Sequence, residues 1–252
     1  MTIVKTLNKK LLSQPFEDDP DQEMLLDNYK HIAFIYSIME NSLAVLSDFR
    51  AKKSYIYNGS VAFYLGLSEK GATEEIPSIW EEDIFVRIHP DDLISKHLLE
   101  LQFFHFLKNL PATERSDYYL TSNIRMRNRL EEYVVMRHRM FYASGSDSMW
   151  LALCLYDFPG NRNLPDMYDG MIINSATGVI IKPDNGKNSD ILSNREKEIL
   201  RFIGKGMVSK EIAGILLISK NTVDRHRQNI LVKLRVKNSI EAYRVAELMG
   251  VL

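Results

Sequence analysis

The most regular alternation of apolar and polar positions lies between residues 192 and 236, and it predicts three short helices. Ser193 and Glu196 have the spacing of a capping box, so the first helix is predicted to begin near Asn194. Apolar residues then recur at helical spacing until Gly204, where the helix is expected to end.

Two further helices are predicted after it, each beginning at a serine. Ser209 is expected to cap a second short helix, and Ser219 a third helix that covers residues 220–234. In the third helix, apolar and polar residues occupy opposite faces. The apolar face contains Val223, Ile230 and Leu234, and the polar face contains Asn221, Asp224, Arg225 and Gln228.

Two short helices joined by a tight turn, the second with a polar outer face, are typical of a helix-turn-helix, here at about residues 209–228. The same stretch resembles the LuxR-type helix-turn-helix family, over about a quarter of the chain. A small helical bundle without a DNA role is the weaker alternative. The resemblance rests on Leu192, Arg195, Glu196, Glu198, Leu200, Gly206, Lys210, Glu211, Ile212, Ala213, Leu216, Ile218, Ser219, Thr222, Val223, His226, Ile230, Lys233 and Leu234.

The resemblance implies an all-α four-helix domain at residues 190–252 that binds double-stranded DNA, with a recognition helix at about 220–234 in the major groove. Arg225 is suited to pair with guanine and Gln228 with adenine. Asp224 belongs to the same groove-facing set, and Asn221 lies nearby. Phosphate contact or setting of the helix register is implied for Lys210, Lys220, Thr222, His226 and Lys233, and for Thr222 and His226 a structural role is equally well supported. The implied DNA-binding residues are Lys210, Lys220, Asn221, Thr222, Asp224, Arg225, His226, Gln228 and Lys233.

Two positions depart from the family pattern. Asp224 stands where many relatives carry Lys or Arg, so it either reads a cytosine amino group or points away from the DNA. Leu217 stands where glycine is common, and a left-handed backbone there would cost leucine about 1 kcal/mol.

A fourth helix is predicted after Val236, with candidate apolar positions at Ile240, Tyr243, Val245 and Ala246. The family resemblance implies that this helix joins two copies into a homodimer, which would read an inverted repeat. The alternative is that the same face packs only within its own domain. RNA polymerase is a further candidate partner of such a regulator.

The first 160 residues predict a mixed α+β domain. A helical period covers 24–40, two strands lie in 43–57, a short helix begins near Ser60, and a longer helix begins at Pro90 and ends before Pro111. An acidic loop is predicted at 68–82. Three antiparallel strands are predicted at Tyr118–Met126, Glu132–Ala143 and Met149–Phe158, the last of them central and covered on both faces.

This order of elements, together with the stretch IHPDDL before the longer helix, resembles a PAS domain over about residues 25–160. The resemblance implies an antiparallel five-stranded sheet with helices over one face, which PAS domains use to sense a ligand or to dimerise. A small-molecule ligand is therefore a candidate partner. The sequence identifies no ligand-binding residues.

Four segments follow from these patterns. Residues 1–22 are expected to be an exposed entry segment, 23–160 the PAS-like sensor domain, 161–189 a linker and 190–252 the DNA-binding domain. Within the linker, two apolar runs around 174–178 predict a β-hairpin that extends or covers the sheet.

Charge is distributed unevenly although the net charge is −1. From Ser189 onward 12 Lys and Arg face 7 Asp and Glu, whereas the first 188 residues carry an acidic excess. A basic surplus suits DNA phosphates. A single cysteine, Cys154, and the absence of a membrane-length apolar run fit a cytoplasmic protein.

The sequence predicts neither catalytic residues, nor a cofactor, nor a metal site. It contains no glycine-rich phosphate loop, no nucleophile elbow and no metal-ligand spacing, so an enzyme is not expected. Cys154 is interpreted as a buried structural thiol and not as a cysteine that reacts with a flavin. His97 or His105 could in principle be a haem ligand, but the sequence does not favour a haem. His89 reads as a helix cap.

Two other functions stay open. A sigma-factor-like RNA polymerase subunit carries a similar helix-turn-helix, but it would need a helical promoter-melting region where residues 115–158 predict strands. The N-terminal domain could instead serve only as a protein-interaction platform, in which case its core would be packed and hold no molecule.

Overall fold

A computed structural model describes residues 3–16, 22–144, 148–160, 170–182, 192–234, 236, 238–248 and 252, with only the backbone described at 3–6, 144 and 248. The chain forms two compact units. The N-terminal unit comprises residues 9–183, and the C-terminal unit comprises residues 184–252 together with residues 1–8.

The described residues up to 182 form both helices and antiparallel strands. A short 3-10 helix, Ala112–Asp117, precedes the long hairpin strands. The helices are α1 Ile3–Leu12, α2 Gln22–Met39, α3 Ser60–Tyr64, α4 Glu82–Phe85 and α5 Pro90–Lys108. The strands are β1 Leu43–Asp48, β2 Lys53–Asn58, β3 Thr73–Ile76, β4 Tyr118–Arg127, β5 Tyr133–Ser144, β6 Met149–Asp157, β7 Met171–Asn174 and β8 Ile180–Ile181.

These strands form one antiparallel sheet in the order β3-β2-β1-β6-β5-β4-β7-β8. The prediction of five strands is wrong, since the described residues contribute eight. The five predicted strands form the centre, and the additional ones lie at the two edges. β3 was missed because its TEEI sequence carries exposed acids and lacks the apolar alternation of a half-buried strand.

The predicted linker hairpin is confirmed and extends the sheet. β7 pairs with β4, with Tyr119 opposite Ile173, and β8 pairs with β7. The other linker residues, 161–169 and 183–189, lie outside the described part of the chain.

β6 is central, as predicted. It lies between β1 and β5 and is buried along its whole length. Cys154 in this strand is buried, as predicted.

Helices cover both faces of this sheet, so the expectation of helices over one face is wrong. On one face Ala33 of α2 packs in a cluster with Ala44 and Leu46 of β1. Val45, on the other face of β1, lies opposite Cys154, whose thiol is close to Glu100 of α5. α2 and α5 therefore lie on opposite faces of the sheet.

The start of α5 follows the sequence prediction. His89 is the N-cap, and its Nδ1 accepts a hydrogen bond from the Asp91 backbone at 3.3 Å. Asp92 then binds the Arg125 guanidinium of β4 through both carboxylate oxygens, at 2.6 and 3.0 Å. This pair fixes the first turn of α5 to the sheet.

Residues 3–16 differ from the expected exposed segment. They include helix α1, in which Leu7 and Leu11 are buried. Gln14 then donates to the Met149 carbonyl at 2.8 Å and accepts from the Met149 amide at 3.1 Å. The i, i+4 pair of leucines is a short apolar stripe, which is a weak sequence signal. Residues 17–21 lie outside the described residues.

The C-terminal unit contains four helices within its described residues: α6 Asn194–Gly204, α7 Ser209–Leu216, α8 Lys220–Leu234 and α9 Ser239–Leu248. In the described residues of both units, each helix is too short or too polar to cross a membrane.

Candidate nucleic-acid interface

α6 begins with the predicted capping box. The Ser193 Oγ accepts from the Glu196 amide at 3.3 Å, and the Ser193 amide donates to Glu196 Oε2 at 2.7 Å. Ile199 and Leu200 are fully buried on the inner face of the helix. The local sequence thus fixes both the start of α6 and the face it buries.

α7 begins one residue earlier than predicted, and its cap is different. Val208 is the N-cap, and its backbone amide donates to Glu211 Oε2 at 2.9 Å. Ser209 is the first helical residue, and its Oγ lies 3.3 Å from Arg227 Nη1. The prediction that Ser209 caps the helix is therefore wrong, because Ser209 instead connects α7 to α8.

The turn between α7 and α8 has the left-handed backbone that was anticipated for Leu217. Leu217 has φ 54° and ψ 42°, and its side chain is 92% exposed. The exposed side chain gains little from packing, so the conformational cost of about 1 kcal/mol is not offset by burial. The Ser219 Oγ then accepts from the Thr222 amide at 3.0 Å, which confirms Ser219 as the cap of α8.

The two faces of α8 are separated as the pattern predicts. Val223, Ile230 and Leu234 are buried. Asn221, Arg225 and Gln228 are exposed, and Asp224 is half-exposed with its carboxylate 3.8 Å from Lys220 Nζ. The exposed face thus presents an amide, a guanidinium and a second amide in one row, at i, i+4 and i+7.

The other predicted contact residues occupy different environments. Lys210 is exposed at the start of α7, and Lys220 and Thr222 are exposed in the first turn of α8. His226 is half-buried, and its Nδ1 is without a hydrogen-bond partner in the described structure. Lys233 is exposed, and its Nζ donates to Glu196 Oε2 at 2.7 Å. The DNA-contact roles of these residues stay predictions.

Lys233 also affects the charge of its partner. Burial raises the pKa of the Glu196 carboxyl, but hydrogen bonds from Lys233 and Ser193 outweigh this effect, and the pKa lies below its ordinary value. Glu196 therefore stays ionised at neutral pH and joins the start of α6 to the end of α8.

Two arginines to which the sequence assigned no role in packing hold this arrangement together. Arg227 donates through Nη1 to Ser209 of α7 and through Nη2, at 3.0 Å, to Ser239 of α9. Arg195 donates to the Leu216 carbonyl at the end of α7 at 3.1 Å. Each guanidinium spans two helices, and helical periodicity alone does not indicate such contacts.

α9 packs mainly within its own unit. Of the predicted apolar positions, Val245 and Ala246 are fully buried. Tyr243 packs so closely on Gly204 that a Cβ there would lie 2.1 Å from its ring. Ile240 is 68% exposed and is the apolar position of the four that faces solvent.

Comparison with known proteins identifies this fold. Residues 190–246 match the family described as bacterial regulatory proteins, luxR family. The C-terminal domain is therefore a LuxR-type helix-turn-helix domain, and its relatives are transcriptional regulators rather than enzymes.

Individual relatives match over the same region. The "Uncharacterized response regulatory protein YgeK" of Escherichia coli (strain K12) is 50% identical over 60 residues, which is 24% of this chain and 41% of that protein. The "Transcriptional activator protein AnoR" of Acinetobacter nosocomialis is 44% identical over 61 residues, 24% of this chain and 26% of that protein. The chain thus spans less than half the length of these curated relatives.

Among solved structures, the phage VqmA-DPO complex aligns with 91% of this chain and 91% of its own chain. The sequence identity is 11% and the TM-score is 0.31. Similarity at this level supports no conclusion about the N-terminal unit.

Proposed function

We propose that this protein is a transcriptional regulator that binds double-stranded DNA through α8. The carrying observation is the division of α8 into a buried apolar face and an exposed face with Asn221, Arg225 and Gln228. A helix of 15 residues is about 22 Å long, and its exposed side chains can reach several base pairs of a major groove.

Base reading is assigned to the exposed row on α8. Arg225 is suited to donate two hydrogen bonds to guanine O6 and N7, and Gln228 to exchange a donor and an acceptor with adenine. Asn221 lies one turn before Arg225 and extends the row. No charged partner holds Arg225 to another described residue, so its guanidinium is available to a base.

An acidic residue, Asp224, is compatible with this DNA-binding surface because Lys220 lies close to it. Its carboxylate lies 3.8 Å from Lys220 Nζ, and this proximity reduces the repulsion that a lone acid would meet near phosphates. From this position Asp224 can accept a hydrogen bond from a cytosine amino group.

Phosphate contact is assigned to residues around the start of α8. Lys220 and Thr222 are exposed there, at the positive end of the α8 dipole, which favours anions. Lys210, which is exposed at the start of α7, is assigned the same role. His226 and Lys233 are expected to contribute to phosphate contact and to setting the register of α8. Lys233 would set the register through its bond to Glu196.

We further propose that two copies bind an inverted repeat and that the bound dimer contacts RNA polymerase. Ile240 supports association through α9, since it is a large apolar side chain left exposed on that helix. A two-fold dimer would place two α8 helices on successive major grooves.

The N-terminal unit is proposed to be a PAS-like domain that senses a signal or mediates dimerisation. Its five central strands have the order β2-β1-β6-β5-β4 with α5 over one face, which supports this assignment. An interaction platform without a ligand remains the second candidate, since aromatic and aliphatic side chains such as Phe103, Phe104 and Leu107 fill the contact between α5 and the sheet.

A sigma-factor-like subunit is less well supported. Such a protein needs a helical promoter-melting region before the helix-turn-helix. Residues 118–127, 133–144 and 149–157 of this chain are strands.

The proposal is tested by selecting bound sites from random duplex DNA with the full chain. We expect enrichment of two similar half-sites in inverted orientation, their centres about one helical turn apart or a multiple of it. A bound pool without any shared sequence would contradict sequence-specific regulation, and enrichment of a single half-site would contradict the dimer.

A further inference from the structure

Three side chains with metal-binding atoms converge inside the N-terminal unit. They are Glu100 of α5, His138 of β5 and Cys154 of β6, and one donor atom from each lies within 4.8 Å of the other two. All three residues are buried. This cluster lies outside the proposed DNA-binding surface, so an inference about it does not rest on that function.

The register of the sheet explains why the cluster forms. His138 is opposite Tyr156, and Met140 is opposite Cys154. His138 and Cys154 are therefore diagonal neighbours on the same face of the sheet. This is the face that α5 covers, and Glu100 projects from α5 towards it.

His138 is the least well explained member of this cluster in chemical terms. It is completely buried, and in the described structure neither ring nitrogen has a hydrogen-bond partner. Leaving a buried polar group unpaired costs about 1–3 kcal/mol. An imidazole nitrogen without a hydrogen-bond partner has a lone pair that can bind a metal ion.

Glu100 is held in place by a second charged group. Lys96 Nζ donates to Glu100 Oε1 at 2.6 Å, and both side chains are buried. The 2.6 Å distance between the two buried groups is that of a charge-assisted hydrogen bond. The oxygen bound to Lys96, Oε1, also lies 3.8 Å from His138 Nε2. Glu100 would therefore bind a cation either through this shared oxygen or by turning Oε2 towards the cluster. Orientation of a ligand by such a partner is common around metal ions.

We propose that Glu100, His138 and Cys154 bind a divalent transition-metal ion of the zinc class. A carboxylate oxygen, an imidazole nitrogen and a thiolate sulfur form a three-ligand set for Zn²⁺ that leaves a fourth position for water. The three donor atoms are at most 4.8 Å apart, so a common point lies within about 2.8 Å of each of them. Bond lengths of about 2.0–2.3 Å therefore need each donor atom to move inward by no more than roughly 0.8 Å.

Binding involves a proton balance at the sulfur. The Cys154 thiol loses its proton to solvent as the metal–sulfur bond forms, and no change of oxidation state is needed. The bound ion would connect α5 to β5 and β6. Metal binding is therefore expected to raise the thermal midpoint of the N-terminal unit.

The first experiment uses the full chain without a polyhistidine tag, refolded with Co²⁺ as the probe. We expect one cobalt ion per chain and thiolate-to-cobalt charge-transfer absorption. Cys154 is the single cysteine in the sequence, so this absorption would report on that side chain alone. Failure to see it in the refolded wild-type protein would overturn the proposal, even if substituted variants do not fold.

The second experiment compares Zn²⁺ affinity, by competition with a chelator, among variants whose folding is checked by circular dichroism. Cys154→Ala and His138→Gln should each weaken binding by more than about tenfold. His97→Gln is the matched control, because His97 is also a buried histidine on α5. Its ring packs on Trp80 and Phe85, with ring centroids 5.7 and 5.3 Å apart. Undiminished zinc binding by Cys154→Ala would refute the site. So would native mass spectrometry that shows a bound organic molecule and no metal.

Discussion

Lys233 of α8 and Glu196 of α6 form an ion pair, with Nζ 2.7 Å from the carboxylate oxygen Oε2. The same oxygen accepts the Ser193 amide, so one carboxylate both caps α6 and holds the far end of α8. The angle at which the exposed face of α8 is presented therefore depends on a residue 37 positions earlier in the chain.

This relationship predicts a dependence on pH. Folding lowers the pKa of Glu196, so the ionised carboxylate stabilises the folded state. This stabilisation is fully present above the unfolded-state pKa of Glu196 and is lost as the pH falls through its folded-state pKa. Glu196→Gln should lower the free energy of unfolding of helices α6–α9 by about 1–2 kcal/mol at pH 7. The substitution should also make this free energy depend less on pH in the acid range. Amide hydrogen exchange in the full chain measures this energy.

Glu198→Gln is the matched control for that measurement. Glu198 pairs with Arg195 at 2.7 Å, but its side chain is 45% exposed. Such surface pairs contribute about 0–1 kcal/mol. Equal effects at the two positions would show that Glu196 has no special role.

The left-handed backbone of Leu217 predicts a stabilising substitution. Leu217→Gly removes a conformational cost of about 1 kcal/mol and loses roughly 0.5–1 kcal/mol through greater freedom of the unfolded chain. A net gain of up to about 0.5 kcal/mol in the same exchange measurement is expected. Leu217→Ala should be close to neutral, because the leucine side chain is exposed and alanine has the same backbone restriction. If alanine stabilised as much as glycine, backbone strain would not be the cause.

Arg227 predicts a structural effect on DNA binding. Arg227→Ala removes the hydrogen bonds to Ser209 and Ser239, so α8 should be less firmly held. DNA affinity is expected to fall by a similar factor for preferred and unrelated duplexes, as measured by fluorescence anisotropy. A selective loss on the preferred duplex would instead indicate that Arg227 reads bases.

Ile240 predicts a change in assembly. Ile240→Asp should reduce the two-copy complex on an inverted repeat while leaving binding to an isolated half-site intact, which gel-shift stoichiometry can distinguish. Ile240→Leu is the control and should retain the two-copy complex. Unaltered pairing in Ile240→Asp would exclude this surface from the interface.

Much of the C-terminal domain was predictable because its determinants are local. The Ser193–Glu196 box, the Ser219 cap and the two faces of α8 each depend on residues within a few helical turns. The cap of α7 was not predictable in this way, because Val208 contributes its backbone amide and not a polar side chain. The hydrogen bonds from Arg227 to two other helices depend on tertiary packing, which the periodicity of a sequence does not indicate.

The N-terminal unit shows the same division between local and distant determinants. The apolar alternation identified its five central strands, whereas the acidic edge strand β3 gave no such pattern. Glu100, His138 and Cys154 are 38 and 16 residues apart in sequence and lie on three elements, so they showed no ligand spacing. Only the strand register and the placement of α5 bring them together.

The central claim is that the exposed face of α8 reads DNA sequence, and the most direct test is a competition titration with Arg225→Ala. A duplex carrying the selected site and an unrelated duplex of equal length would be compared at fixed salt. We expect the variant to lose about 1–3 kcal/mol of preference for the selected site while keeping weak, salt-sensitive binding to both. Arg201→Ala, which changes an exposed arginine on α6, should retain full preference. Unchanged preference in Arg225→Ala would contradict the account.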